Sequence, residues 1–195
     1  MTYPNVKFVT SAAEAHQLAP DVGREIAFAG RSNSGKSTAL NIITQRSGLA
    51  RVSRTPGRTQ LINFFELAPG RRLVDLPGYG FAKVPERVRL HWLELMAHYF
   101  NVRESLVGLM LIVDSRRGLG AQDVAMLEWI LARNRHAHVL LTKADKLNRR
   151  DSQRVLKETV AAGRDAAVSA QLFSAHQRQG VEEARAVMDR WLNTP

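Results

Sequence analysis

The sequence predicts an α/β domain built on a mostly parallel sheet, and three observations predict it. Through the second half of the chain, short apolar runs alternate with amphipathic stretches, the pattern of strands joined by helical crossovers. Near the N-terminus, the run Ile26-Ala27-Phe28-Ala29 leads into Gly30-Arg31-Ser32-Asn33-Ser34-Gly35-Lys36-Ser37 and then a helical segment. That is the strand, loop and helix context of the phosphate-binding pattern G-x-x-x-x-G-K-S/T. Finally, Leu106 to Val113 is almost wholly apolar, as expected of a parallel strand covered on both faces.

Taken in order, Val6-Lys7-Phe8-Val9 alternates weakly, like a short strand laid on the sheet. Ser11-Ala12-Ala13-Glu14 has capping-box spacing and should open a helical turn through Leu18, ended by Pro20-Asp21 and Gly23. Thr38 to Ile43 reads as helix. Gly48 to Thr59 has no apolar periodicity and carries Arg51, Arg54, Thr55, Pro56, Gly57 and Arg58, the composition of a mobile loop. A structureless stretch of about 12 residues in a compact domain is usually functional. Leu61 to Leu67 and Arg72 to Leu76, separated by Pro69-Gly70, read as an antiparallel hairpin.

Glu86 to Asn101 repeats apolar residues at Val88, Trp92, Leu95, Met96 and Tyr99, an amphipathic helix. Gln122 to Arg133 follows as a helix with Val124, Leu127, Ile130 and Leu131 on one side. His138 to Thr142 is a buried strand, Gln153 to Ala162 a helix, Ala166 to Phe173 the last strand and Val181 to Leu192 the closing helix.

Composition narrows the function. The chain has 195 residues and no cysteine, so disulfide frameworks and thiolate metal sites are excluded. No run is long and apolar enough for a membrane span or a signal peptide, so a cytoplasmic protein without membrane attachment is expected. Lys and Arg number 28 against 18 Asp and Glu, a net charge of +10. In a small domain that excess points to a polyanionic partner, although a host with generally Arg-rich proteins would produce it too. The charges come as pairs such as Arg71-Arg72, Arg116-Arg117 and Arg149-Arg150, which suits a folded basic surface better than a basic tail.

The motifs carry the chemistry. Backbone N–H groups of a Gly-rich turn, with the N-terminus of the following helix, make an anion nest. Gly30 and Gly35 allow the tight turn, Lys36 would reach the β- and γ-phosphates, and the Ser37 hydroxyl would ligate Mg²⁺. Asp75-Leu76-Pro77-Gly78 fits D-x-x-G at the end of a strand. Asp75 would hold a water on Mg²⁺, and the Gly78 N–H would bond the γ-phosphate. Alone, an Asp before Pro-Gly is commonly only a turn; its position after a strand and beyond a phosphate loop strengthens it.

Thr142-Lys143-Ala144-Asp145 fits N/T-K-x-D. A carboxylate accepting from guanine N1 and N2 rejects adenine, which would leave it unpaired. The Lys143 stem would lie along the base. Phe173-Ser174-Ala175 follows the last strand and would present N–H groups to guanine O6. Thr59, just before a strand, is the expected second Mg²⁺ ligand, with Thr55 as its competitor.

These residues look like the translation-factor-related branch of small Ras-like GTPases, and the match is closer still. Gly30 to Ser37, Arg54-Thr55-Pro56-Gly57-Arg58-Thr59-Gln60-Leu61-Ile62-Asn63-Phe64-Phe65 and Val74-Asp75-Leu76-Pro77-Gly78-Tyr79-Gly80-Phe81-Ala82 resemble the EngB (YsxC/YihA) family of bacterial GTPases. The resemblance covers essentially the whole chain. It implies a Ras-like P-loop GTPase domain over residues 23–195, with a six-stranded, mostly parallel sheet, one antiparallel strand and flanking helices, and residues 1–22 as a short extension packed on it. It further implies GTP and GDP as ligands with Mg²⁺, Lys36, Thr59 and Gly78 as the catalytic set, and Gly57 to Leu61 among the nucleotide-binding residues. The implied role is assembly of the large ribosomal subunit, the 50S precursor being the partner, with a requirement in cell division and septation. A monomer that does not bind DNA is expected.

One departure from the wider Ras pattern bears on rate. The position after Gly78, where many GTPases carry a water-orienting Gln, is Tyr79. Its unperturbed pKa of about 10 makes Tyr a poor general base at neutral pH, so slow intrinsic hydrolysis is expected. The Asn33 side chain would help hold K⁺ near the phosphates, as in some similar GTPases, or else only shape its loop. Arg51, Arg54 and Arg58 would contact rRNA or merely solvate the loop. His91, His98, His136 and His138 show no metal spacing and are expected at the surface or half-buried. A small-molecule kinase would give Asp145 no role, and an RNA-binding module with a structural nucleotide is the remaining alternative.

Overall fold

The computed structural model describes residue 3 and residues 6–49, 61–80, 85–163 and 167–194. Seven strands, β1 (Lys7–Ala12), β2 (Arg24–Gly30), β3 (Ile62–Ala68), β4 (Arg71–Asp75), β5 (Leu106–Asp114), β6 (His136–Thr142) and β7 (Val168–Leu172), form one sheet in the order β1-β3-β4-β2-β5-β6-β7. The helices are α1 (Lys36–Thr44), α2 (Glu86–Val102), α3 (Ala121–Leu131), α4 (Arg149–Ala162) and α5 (Val181–Asn193). β4, β2, β5, β6 and β7 are parallel, and β3 alone opposes its neighbours, pairing antiparallel with both β4 and β1.

The fold is the expected α/β one, with seven strands instead of six. The added strand comes from the N-terminal segment. Its alternation is weak because it is an irregular edge: its pairing with β3 shifts register between Phe8 and Thr10, and Phe8 is 60% and Val9 45% exposed. The capping box at Ser11 does not form. Strand pairing carries through Ala12, and Ser11 Oγ donates to Asn63 Oδ1 at 2.6 Å. The turn starts later, where Gln17 Oε1 accepts from the N–H groups of Ala13 (2.7 Å) and Glu14 (3.1 Å).

The central strands show why their sequence is unbroken apolar. Along β5, Leu109, Leu111 and Val113 pack with Trp92, Leu95, Met96 and Ile130 of α2 and α3. The alternate residues Met110 and Ile112 pack with Leu40, Ile43, Met188 and Trp191 of α1 and α5. Fully burying a Leu or Ile contributes about 1.5–3 kcal/mol, so two covered faces set the register. Gly108 is part of this fit, since a Cβ there would lie 2.4 Å from the Trp191 ring.

One helix presents a face rotated from the expected one, and another buries its expected face except at its first apolar position. On α3 the buried residues are Asp123, Met126, Leu127 and Ile130, while Val124 is 39% exposed. A buried aspartate takes the first position of the stripe, which an apolar count misses. On α2, Val88 is 44% exposed because the first turns extend past the core. His138 also departs from expectation. It is 4% exposed, with Nδ1 2.7 Å from Ser169 Oγ and Nε2 2.9 Å from Gln171 Oε1 on β7, and burial pushes its pKa down.

The N-terminal segment is tied to the domain through a buried ionic cluster. Glu25, at the start of β2, has no exposed surface. Its Oε1 accepts from Arg72 (2.8 Å) and Arg103 (2.7 Å), and its Oε2 from Arg103 Nε (2.9 Å). The same guanidinium groups donate to the carbonyls of Ala19 (2.6 Å) and Pro20 (2.7 Å from Arg72). Arg103 also lies over the Phe64 ring, 5.2 Å from its centroid. Buried charge persists where each member is paired and hydrogen-bonded, and here it is.

Candidate functional site

The phosphate loop joins β2 to α1 at the C-terminal edge of the sheet, where open α/β sheets bind ligands. Gly30 is required sterically, since a Cβ would meet the Ile112 carbonyl oxygen at 2.6 Å and Ser34 Oγ at 2.7 Å. Gly35 has φ +98°, a left-handed backbone that suits glycine, and α1 begins at the next residue. Asn33 is also left-handed, at φ 63°. Arg31, Ser32, Ser34 and Ser37 complete the loop, with Ser37 in the first turn of α1.

Asp75 ends β4, and its Oδ1 accepts from Lys36 Nζ. Both side chains are 11% exposed, so a cation and a carboxylate converge at the loop. Leu76 N–H continues the sheet by donating to the Phe28 carbonyl at 3.0 Å. Pro77 and Gly78 then turn the chain over the loop, and a Cβ on Gly78 would lie 3.6 Å from the Ser32 backbone.

Thr142 and Lys143, ending β6, brace the loop from the other side. Thr142 Oγ1 donates to the Ser34 carbonyl at 2.5 Å. Lys143, at φ 58°, places Nζ 2.8 Å from both the Asn33 carbonyl and Asp114 Oδ2. The Lys143 head is thus a strut between loop and sheet, a role its spacing in sequence does not reveal. Asp145 sits in a 3₁₀ turn, Ala144–Lys146, and its Oδ1 accepts from Ser174 Oγ at 2.7 Å. The Ser174 hydrogen bond, with a smaller contribution from Lys146, holds the Asp145 carboxyl below the usual carboxylate range.

The segment after β7 narrows one expectation. Phe173 N–H is bonded to the Leu141 carbonyl (2.9 Å) and Ser174 N–H to the Gln179 carbonyl (3.1 Å). Neither is free for a base. Of the three expected donors, Ala175 alone keeps an N–H without a partner among the described residues. Gly57, Arg58, Thr59 and Gln60, with Arg51, Arg54, Thr55, Phe81 and Ala82, lie outside the described residues; Leu61 directly precedes β3.

Asp75, Lys36, the phosphate loop and Asp145 therefore lie along one edge of the sheet. Over 194 residues, 98% of this chain and 95% of the relative, the sequence is 49% identical to the probable GTP-binding protein EngB of Coxiella burnetii. This chain belongs to the EngB family.

The EngB protein of Aromatoleum aromaticum is likewise 49% identical, over 99% of this chain and 90% of its own length. The family described as 50S ribosome-binding GTPase matches residues 25–143. A crystal structure of a probable GTP-binding protein EngB has the same fold, with a TM-score of 0.70 at 23% identity, covering 86% of this chain and 98% of that one. As a member of the EngB family the chain is a GTP-hydrolysing enzyme that binds guanine nucleotide.

Two features of this chain are invisible in its motifs. Asp114, at the end of β5, accepts two bonds from the Arg116 guanidinium (2.9 and 2.7 Å) besides the one from Lys143. Burial opposes its charge, but the hydrogen bonds from Arg116 and Lys143 prevail and hold its carboxyl well below the usual range. An Asp closing an apolar central strand was the available signal. Tyr79 is 4% exposed and turned into the core beside Trp92, its hydroxyl donating to Asp123 Oδ1 at 2.6 Å. Burial pushes its pKa further up, so the residue after Gly78 is neither a base nor aimed at the loop.

Proposed function

We propose that this protein is a slow GTPase switch that acts in assembly of the large ribosomal subunit and, as the family resemblance implies, is needed for normal cell division and septation. The observation that carries the switch reading is the convergence of Lys36, Asp75 and Gly78 on the phosphate loop, with Asp145 braced by Ser174 at the far end of the same edge. GTP would order the Thr59 loop and the segment after Gly78, making a surface for the partner; hydrolysis would release both. The ribosomal reading is supported by the matched family's description and by the net charge of +10. Arg149, Arg150, Arg154 and Lys157 lie together on α4 beside Glu158, Arg154 being paired with Asp151 and Glu158, and their excess of positive charge would suit a phosphate backbone.

Ser37, Asp75 through a water, and Thr59 would hold Mg²⁺; hydroxyl, water and carboxylate oxygens suit that hard cation. Bound there, Mg²⁺ neutralises charge on the phosphates. Lys36 binds the same phosphates, Gly78 N–H meets the γ-phosphate, and Ala175 N–H with the Asp145 carboxylate reads guanine. We further propose a cytoplasmic, monomeric protein; among the described residues no helix is long and apolar enough to cross a membrane.

The partner is tested by co-sedimentation with precursor large subunits. Binding is expected with a non-hydrolysable GTP analogue and to fall with GDP; equal pelleting in both states would overturn the switch. Because Tyr79 is directed away from the loop, hydrolysis by the isolated protein should be slow, and a supplied group can raise such rates by as much as about 10⁵-fold. If Asn33 helps hold K⁺ as that group, hydrolysis in KCl will exceed that in NaCl. Equal rates would assign Asn33 to loop shape alone.

A further inference from the structure

Tyr79 links three parts of the molecule. Its N–H faces the Gly30 carbonyl at 3.4 Å, and its carbonyl accepts from Ser32 N–H at 2.8 Å, so its backbone is stitched to the phosphate loop. Its ring packs in the core, with the Trp92 ring centroid 6.2 Å away. Its hydroxyl ends on Asp123, which has no exposed surface. The other Asp123 oxygen accepts from Gly120 N–H at 2.7 Å, so the carboxylate is held rigidly in the first turn of α3. Arg31 is the cation facing the Tyr79 hydroxyl.

The consequence falls on Gly78. Upstream, Leu76 is anchored to β2. Between the anchors stand Pro77 and a glycine with wide backbone freedom. Downstream, Tyr79 is held by its backbone bonds to Gly30 and Ser32 and by its hydroxyl on Asp123, and the hydroxyl bond adds the side-chain restraint that narrows where the Gly78 N–H points. An amide held in place before ligand arrives binds without the ordering cost that a mobile one incurs.

We propose that Asp123 is a positioning residue for γ-phosphate recognition, acting through Tyr79 on the Gly78 amide. This rests on the reading that the Gly78 N–H meets the γ-phosphate. The affected quantity is the preference for triphosphate over diphosphate, because GDP offers Gly78 nothing to bind. A carboxylate serving only as the cap of α3 would change stability and leave that preference untouched.

The test measures affinity for fluorescent GDP and for a non-hydrolysable GTP analogue in wild type, Tyr79→Phe, Asp123→Ala and Asp123→Asn. Tyr79→Phe keeps the ring and removes the bond; it should bind the analogue about tenfold more weakly with GDP affinity retained, as for loss of one ordering contact. Asp123→Ala should do the same. Asp123→Asn should restore most of the preference, since its oxygen can accept from Gly120 N–H while its amide donates to the Tyr79 hydroxyl. If Asp123→Ala does not fold, Tyr79→Phe decides alone. An unchanged analogue-to-GDP ratio in Tyr79→Phe overturns the proposal.

Amide spectra of ¹⁵N-glycine-labelled protein separate this from the reading beneath it. The Gly78 resonance, assigned with Gly78→Ala, should shift when the analogue replaces GDP in wild type and shift less in Tyr79→Phe. No shift in wild type would remove the γ-phosphate role of Gly78 and the proposal with it. A full shift in both proteins would remove the Asp123 role alone.

Discussion

Asp145→Asn is expected to lower GTP affinity by about 10²–10⁴-fold and to raise affinity for xanthosine triphosphate. The estimate follows from a buried-side acceptor turned into a donor opposite guanine N1–H and N2–H, two lost charge-assisted bonds at about 1.5–3 kcal/mol each. The local fold should survive, because the asparagine oxygen can still accept from Ser174 Oγ, which now lies 2.7 Å from Asp145 Oδ1. Xanthine carries an oxygen where guanine carries its amino group, so it meets the new amide donor correctly. Displacement of a fluorescent nucleotide by GTP, XTP and ATP reads all three affinities. An unaltered preference for GTP would remove Asp145 from base recognition. It would also reopen the small-molecule kinase and the RNA-binding module, neither of which needs a guanine-selective carboxylate.

The second large effect is on stability. Glu25→Ala should cost about 3–5 kcal/mol, the range for removing one member of a buried ionic cluster. The two cations left behind, Arg72 and Arg103, are 8% and 3% exposed. For a domain of this size each kcal/mol moves the melting temperature by roughly 2–4 °C, so a fall of roughly 6–20 °C is expected. The loss should reach the N-terminal segment first, because the same guanidinium groups hold the carbonyls of Ala19 and Pro20. Urea unfolding with paired amide-exchange measurements on residues 6–23 would show both. A change below about 1 kcal/mol would mean that water replaces the cluster at little cost.

Neither arginine could be picked out beforehand. Glu25 and its partners stand 47 and 78 residues apart, and a charged residue beside Arg24 or Arg71 reads as surface. Only the antiparallel β3 and the parallel β2–β4 pair bring Arg72 to Glu25, and only the end of α2 brings Arg103. Asp123 escaped for a related reason. Hydrophobic counting places Val124 inward, whereas a buried carboxylate holding Tyr79 and Gly120 displaces it by one position. Tertiary hydrogen bonding outweighed the local pattern at both places. His138 behaves alike, buried between Ser169 and Gln171 although nothing next to it in sequence announces a partner.

The phosphate loop, the Asp75 and Asp145 stretches and their strand contexts were legible because each is local. A tight turn needs glycine, a nest needs consecutive amides, and a buried strand needs consecutive apolar side chains, all within a dozen residues. The sequence alone thereby determined the α/β class, the order of strands and helices from β2 onward and the guanine-nucleotide chemistry. Tertiary structure alone decided how the parts bear on one another: Lys143 bracing the loop through Asn33, Ser174 holding Asp145, Glu25 gathering two arginines, and Tyr79 turning its hydroxyl to Asp123. Those contacts join residues far apart in the chain, and their energy depends on burial and exact partner geometry, quantities that come into being only when the sheet assembles.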